Sequence, residues 1–213
     1  QRVVGPLRLC VVGGGGVGSP TALLLAKHGH ELVLYDPDTV ESKNVVNQLY
    51  GPEDVGVFKV QALAQHISDL TLRGGITQCR RAMDAADSHI GTPVVVVCVD
   101  TLKARRVILE ACVHSPSVRI VVDVRVGHGS IKVYAFNPKD PEQVKPYQES
   151  LMGEGMDGMC VVEFEAHVAF MAAALAVRAL DHITDPDVQG VERLLILDVD
   201  TLGVVQDGPH PWS

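Results

Sequence analysis

The stretch CVVGGGGVGSPTALLLAKHG at residues 10–29 constrains this chain more than any other. An apolar strand over residues 7–13 runs into glycines, and helical spacing follows over residues 19–28. Gly13, Gly15 and Gly18 satisfy G-x-G-x-x-G in the context the motif requires, after a strand and opening a helix. Gly16 belongs to the same cradle. Glycines let the backbone turn tightly and approach a polyphosphate, whose charge then sits at the positive end of the helix. Asp36, closing a second strand over residues 31–36, lies 18 residues past Gly18, where an acid that bonds a ribose hydroxyl is expected. A glycine turn without a ligand is the plain alternative, and strand, helix and acid in place together weigh against it. The motif alone does not separate a dinucleotide from ATP.

The same rhythm continues. Residues 59–70 and 102–114 have helical spacing, residues 76–79 form a weak strand, and residues 93–99 and 119–126 read as buried strands. Alternation of strand and helix predicts a Rossmann-like, doubly wound α/β fold with a mostly parallel sheet. Continuous apolar runs, such as the four valines from Val94 to Val97, predict strands covered on both faces. After residue 126 only Gly127, His128 and Gly129 precede the next strand (residues 130–137), too few for a crossover, so that strand turns back antiparallel. Residues 138–159 hold three prolines and several glycines and read as a long functional loop. An alanine-rich helix over residues 163–180 is apolar almost all round, which places it in the core or at an interface. Strands at 194–198 and 202–205 close the chain as a hairpin. No repeat or linker interrupts residues 1–213, which predicts a single domain.

Composition narrows the partners. A formal charge of −8 with no Lys/Arg run argues against nucleic acid and anionic membrane surfaces. The most apolar helical run, residues 166–177, is shorter than the ~20 residues of a membrane span. No signal peptide is evident, and five cysteines with no CxxC make disulfides and a cysteine zinc site unexpected, so a reducing cytoplasm is the default. The chain opens on Gln1 rather than methionine, which is consistent with residues preceding it.

The segment YDPDTVESKNVVNQLYGPEDVGVFKVQAL, residues 35–63, resembles the ThiF/MoeB-type adenylyltransferases and the related ubiquitin-activating enzymes. In that family the second strand ends in D-x-D-x-V, followed by an asparagine, an arginine–glutamine pair and a lysine opening the next helix. Asp36, Asp38, Val40, Asn44, Gln48 and Lys59 fall at the matching places. VVVVCVDTLKARRVILEAC is similar in turn, with Asp100 after the strand and Arg105 five residues on. The likeness runs from about Leu7 to Val205 and includes the antiparallel return and a crossover loop. It implies ATP-dependent adenylation of the C-terminal carboxylate of a ubiquitin-like or sulfur-carrier protein, by a homodimer, with Mg2+ as cofactor and the carrier tail threading beneath the 138–159 loop. By resemblance, Asp36 holds the ribose, Asn44 and Lys59 contact phosphates, Asp100 positions magnesium, and Arg105 supports the site. Plain readings exist for each: Lys59 as a solvated lysine, Asp100 as a helix cap. A cation in a first helical turn runs against the dipole, which favours a functional Lys59.

The pattern has departures. Asn47 stands where the family has arginine, Thr101 where it has asparagine, and the frequent pair of zinc-binding CxxC motifs is missing. The family also carries an arginine in an N-terminal helix that reaches into the partner's site, and this sequence starts too late to show it. Arg106 or Arg125 could compensate, Arg125 because it ends a strand on the ligand side. Cys160 opens the alanine-rich helix, where some members form a thioester or persulfide, and a helix N-terminus lowers a thiol pKa; a packed structural cysteine is the alternative. Cys10, Cys98 and Cys112 read as core, and His167 as a packed or interface residue. Two other classes stay open: a nucleotide-holding scaffold subunit with weakened catalysis, and a nicotinamide-dependent oxidoreductase, which gives no reason for Asn44 and Lys59.

Overall fold

The computed structural model describes residues 5–71, 76–89, 91–127, 129–152, 166–184, 193–199 and 201–207. Eight strands form one sheet in the order β3-β2-β1-β4-β5-β6-β7-β8. The parallel part is β1 (Arg8–Val12), β2 (Glu31–Tyr35), β3 (Thr77–Cys79), β4 (Val94–Val97) and β5 (Ile120–Gly127). The tight return after Gly127 makes β6 (Ser130–Phe136) antiparallel to β5, and β7 (Arg193–Asp198) and β8 (Val204–Asp207) add antiparallel strands.

Alternating side chains sort the core into two layers. Leu9, Val11, Val94 and Val96 face α1 (Gly18–Lys27), α2 (Lys59–Thr71) and α5 (Ala166–Ile183). Cys10, Val12, Val95 and Val97 face α3 (Leu102–His114) and α4 (Pro141–Glu149). Both faces are covered, which is why these strands read as unbroken apolar runs. Strand order reverses between β1 and β4, and the carboxyl ends of those two strands frame the crevice where such sheets bind ligands.

Three segments differ from expectation. The stretch read as loop holds α4, because Asp140 caps it by accepting from the Glu142 N–H (3.0 Å) and Pro141 takes a first-turn position that needs no donor. Proline content hid this helix; Pro146 removes only one internal bond. Leu202 lies in the β7–β8 turn rather than in a strand, with φ +56°, held there as the Asp198 carboxylate accepts from the Thr201 N–H (2.8 Å). Finally, α5 runs on to Ile183, giving 18 residues of mean hydropathy 1.3, long and apolar enough by length and composition to cross a membrane. Half of it is buried, with Ala172, Ala176 and Leu180 among its core residues, and it packs on α1, β5 and β6.

Lys139 ties this frame together from outside the sheet. Its ammonium donates to the carbonyls of Cys112 (3.0 Å), Val113 (2.6 Å) and Ser115, the free acceptors at the end of α3. Lys139→Met should lower stability by about 1–2 kcal/mol, since charge-assisted bonds and the helix dipole are lost together. Urea unfolding would show it as a lower midpoint at unchanged slope.

Candidate functional site

The glycine turn is fixed by contacts that demand glycine. Gly13 has φ +97°, and a Cβ there would meet the Cys98 carbonyl oxygen at 2.6 Å. A Cβ on Gly18 would lie 1.8 Å from the Gly13 carbonyl oxygen, so the start of α1 packs directly on the strand end. The Gly14 peptide is pinned on both sides. Its N–H donates to Asp36 Oδ2 (2.6 Å) and its carbonyl accepts from Tyr50 Oη (2.6 Å). By contrast, Gly15 faces open space. No side chain caps α1, and no acid lies in its first turn. Its positive end is therefore left for an anion.

Asp36 is 6% exposed and also accepts from the Asp38 N–H (2.8 Å). Burial pushes its carboxyl upward, opposed by the Gly14 and Asp38 amides and the Lys59 charge. Lys59 opens α2 as a buried lysine whose ammonium pairs with Asp38 Oδ2 at 3.0 Å. The reading of Lys59 as solvated does not hold. Asp38, with a side chain 61% exposed, carries the pair toward solvent and offsets the cation at a helix start.

Asn44 and Gln48 lie on the segment after β2 that Leu49 and Tyr50 tie to the glycine turn. Asn44 is buried, its Oδ1 accepting from the Glu41 N–H (2.8 Å). Gln48 Oε1 is buried with no partner among the described residues. The following amide, Leu49 N–H, donates to Ser19 Oγ (3.2 Å), whose hydroxyl in turn donates to the Gly15 carbonyl (2.8 Å). Asn47, where a family arginine was expected, is half-buried. Sequence reasoning passed over Tyr50 and Ser19, which lock this segment onto the glycine turn.

Across the crevice, Asp100 stands exposed in the β4–α3 turn. It does not cap α3: Thr101 does, accepting from the Ala104 N–H (3.1 Å). Among the described residues no group of three or more His, Cys, Asp or Glu gathers. A magnesium ion bound with substrate phosphates needs only one or two protein carboxylates, and a free Asp100 fits that requirement.

Arg105 is 2% exposed and does not face the crevice. Its guanidinium donates to the carbonyls of Val99 and Val124 (the latter at 3.2 Å) and pairs with Asp123, which is fully buried in β5. It therefore holds the residue just before Asp100. Asp123 also accepts from Arg125 Nε (2.7 Å) and Tyr147 Oη (3.2 Å). Asp123→Asn should cost about 3–5 kcal/mol, because the buried Arg105 guanidinium and the largely buried Arg125 lose their shared carboxylate. A loss below about 1 kcal/mol, the size of an ordinary single substitution, would contradict that reading.

Arg106 donates to the Leu151 carbonyl (2.7 Å). Cys10 and Cys112 are buried, as expected for core residues; Cys98 is half-buried, its thiol pushed up to about 12 by burial. His167 is exposed on α5, and Cys160 lies outside the described residues. Two clefts, of about 380 and 310 Å3, flank α2; the second is lined in part by Gln48 and Tyr50, and neither is lined by Asp36, Lys59 or Asp100.

The chain is similar to known proteins in sequence and in fold. The sequence profile of the ThiF family matches residues 1–205. Ubiquitin-like modifier-activating enzyme 5 of Oryza sativa subsp. japonica is 35% identical over 121 residues, covering 49% of this chain and 29% of that protein. The match thus spans under a third of that relative's length. Among solved structures, E. coli MccB with MccA superposes at TM-score 0.72, with 17% identity over 97% of this chain and 65% of that one. PaaA gives TM-score 0.70 and 19% identity, covering 94% and 63%. At those identities the likeness is one of fold. MccB has also been solved with ATP.

Proposed function

Because the chain belongs to the ThiF family, we propose that it is an ATP-dependent adenylyltransferase acting on the C-terminal carboxylate of a ubiquitin-like or sulfur-carrier protein. The carboxylate oxygen attacks the α-phosphorus of ATP, an acyl-adenylate forms, and the α–β phosphoanhydride bond breaks to release pyrophosphate. The observation that carries this reading is the joint placement of Asp36, Asn44, Gln48 and Lys59 around an uncapped helix start whose glycine turn is already pinned.

In this reading the glycine-turn amides and the α1 terminus receive phosphates, Asp36 receives the ribose, and Asn44, Gln48 and Lys59 approach the phosphate chain. Magnesium would be held at Asp100 and would neutralise charge on the leaving pyrophosphate. Arg105 acts at one remove, by holding the turn that carries Asp100. Pre-set donors of this kind stabilise developing charge without reorganising during the reaction. A homodimer in the cytoplasm is part of the same proposal.

Asn47 favours a second reading, a subunit that holds nucleotide and supports an active partner, since one expected cation is missing. Calorimetric titration decides first between ATP and NADH, and ATP with magnesium should bind at least tenfold tighter, about 1.4 kcal/mol. ATP–pyrophosphate exchange with candidate carriers decides next. Tight ATP binding without exchange would select the scaffold, and preference for NADH would remove both.

A further inference from the structure

Asp123 pairs in register with Val97, the last residue of β4, so Arg125 projects past the end of that strand. It thus stands at the carboxyl end of the parallel sheet, beside the turn that carries Asp100. Its guanidinium is built into the protein. Nε donates to Asp123, and the group lies over the Tyr134 ring at 4.4 Å and the Tyr147 ring at 5.1 Å. The outer edge is poorly used. Nη1 reaches the Ser150 carbonyl only at 3.4 Å, and Nη2 is buried with no acceptor in hydrogen-bond geometry among the described residues, while the Tyr147 hydroxyl interacts with the same guanidinium. The Asp123 carboxylate is meanwhile shared with Arg105 and Tyr147.

A largely buried guanidinium, its side chain 12% exposed, with a half-empty edge and a shared counter-ion can take a further anion. The Nη1–Nη2 edge matches a carboxylate end-on, through two parallel N–H···O bonds. Flanking tyrosine rings favour a planar group over a tetrahedral phosphate. β5 lies two strands from β1, roughly 10 Å at the usual spacing. A carboxylate held between Arg125 and a phosphate on the glycine turn fits that gap.

We propose that Arg125 is the positioning residue that receives the carboxylate of the acyl substrate before it attacks ATP. The inference rests on the adenylation reading above. The incoming carboxylate displaces the long Ser150 contact and fills both outer nitrogens.

The test uses the full chain with magnesium and the non-hydrolysable analogue AMPCPP. The probes are a hexapeptide ending in Gly-Gly, as the free acid and as the C-terminal amide. Loaded wild-type protein should bind the acid at least tenfold tighter than the amide. Arg125→Met should bring that preference within twofold while AMPCPP affinity stays within twofold of wild type. Arg125→Lys, which keeps the charge without the planar fork, should lose most of the preference. Equal binding of acid and amide by wild type, or no binding of either, overturns the proposal without any variant. A preference surviving in Arg125→Met also overturns it, and a parallel loss of AMPCPP affinity reassigns Arg125 to the nucleotide phosphates. Failure of wild type to bind AMPCPP is a different result, since it removes the adenylation reading itself.

Discussion

Lys59→Ala should reduce ATP–pyrophosphate exchange by roughly 10^2–10^3-fold, the range seen when one pre-set stabilising group is removed from a reaction centre. The lysine is buried at the first turn of α2, where a cation is disfavoured by the dipole, and it is held there by Asp38 at 3.0 Å. A charge kept in an unfavourable place has to be offset, and in the adenylation reading the ATP phosphates would add to the offset that Asp38 gives. Stability should fall by about 0.5–3 kcal/mol, since Lys59 is buried although its partner Asp38 is largely exposed. The two readouts separate function from structure: exchange should fall under conditions where the variant is still fully folded. Lys59→Arg tests shape against charge, and partial recovery is expected. Exchange unaffected by Lys59→Ala would sink the assignment of Lys59 to the phosphates.

Two glycine substitutions should give opposite results. In Gly18→Ala the new methyl carbon falls 1.8 Å from the Gly13 carbonyl oxygen and 2.8 Å from its carbon, both backbone atoms that cannot swing aside. α1 would have to move off the strand end, so the loss should reach or exceed about 3 kcal/mol, the upper end for overpacking. A poorly soluble product would be the same result. In Gly15→Ala the methyl meets nothing within 4 Å, and stability should stay within about 0.5 kcal/mol. In the adenylation reading that methyl enters the space proposed for phosphate, so ATP should bind roughly tenfold more weakly, about 1.4 kcal/mol. Chemical denaturation paired with ATP titration checks both. A stable, ATP-binding Gly18→Ala protein would refute the packing argument, and full ATP affinity in Gly15→Ala would move the phosphates elsewhere.

The parallel half of the fold was legible because its signals are local. Glycines at fixed spacing, a valine run and the three-residue gap before β6 each dictate one outcome. α4 was not legible, since three prolines in its neighbourhood outweigh a single capping aspartate when only composition is weighed. The end of α5 was misjudged for a different reason: Arg178 and Asp181 break its apolar run, yet a helix anchored by one buried face tolerates both on its other sides.

The site was legible in part. Asp36 could be named from spacing, and Asn44, Gln48, Lys59 and Asp100 from the family resemblance, but several contacts that fix the site join residues far apart in sequence. Tyr50 meets Gly14 across 36 residues, and Tyr147 meets Asp123 across 24. One clue was available and passed over. Asp123 sits inside IVVDVRV, a strand read as buried on both faces, and a buried carboxylate requires a cation.

By itself, then, the sequence determined that the first part of the sheet is parallel, the glycine turn and the acid at the end of β2, because steric limits and hydrophobic periodicity act between near neighbours. Only the tertiary structure decided that Lys59 is buried against Asp38, that Thr101 rather than Asp100 caps α3, and that Arg105 and Arg125 share one carboxylate. Those outcomes depend on which distant groups are desolvated together, and desolvation is a property of the packed chain.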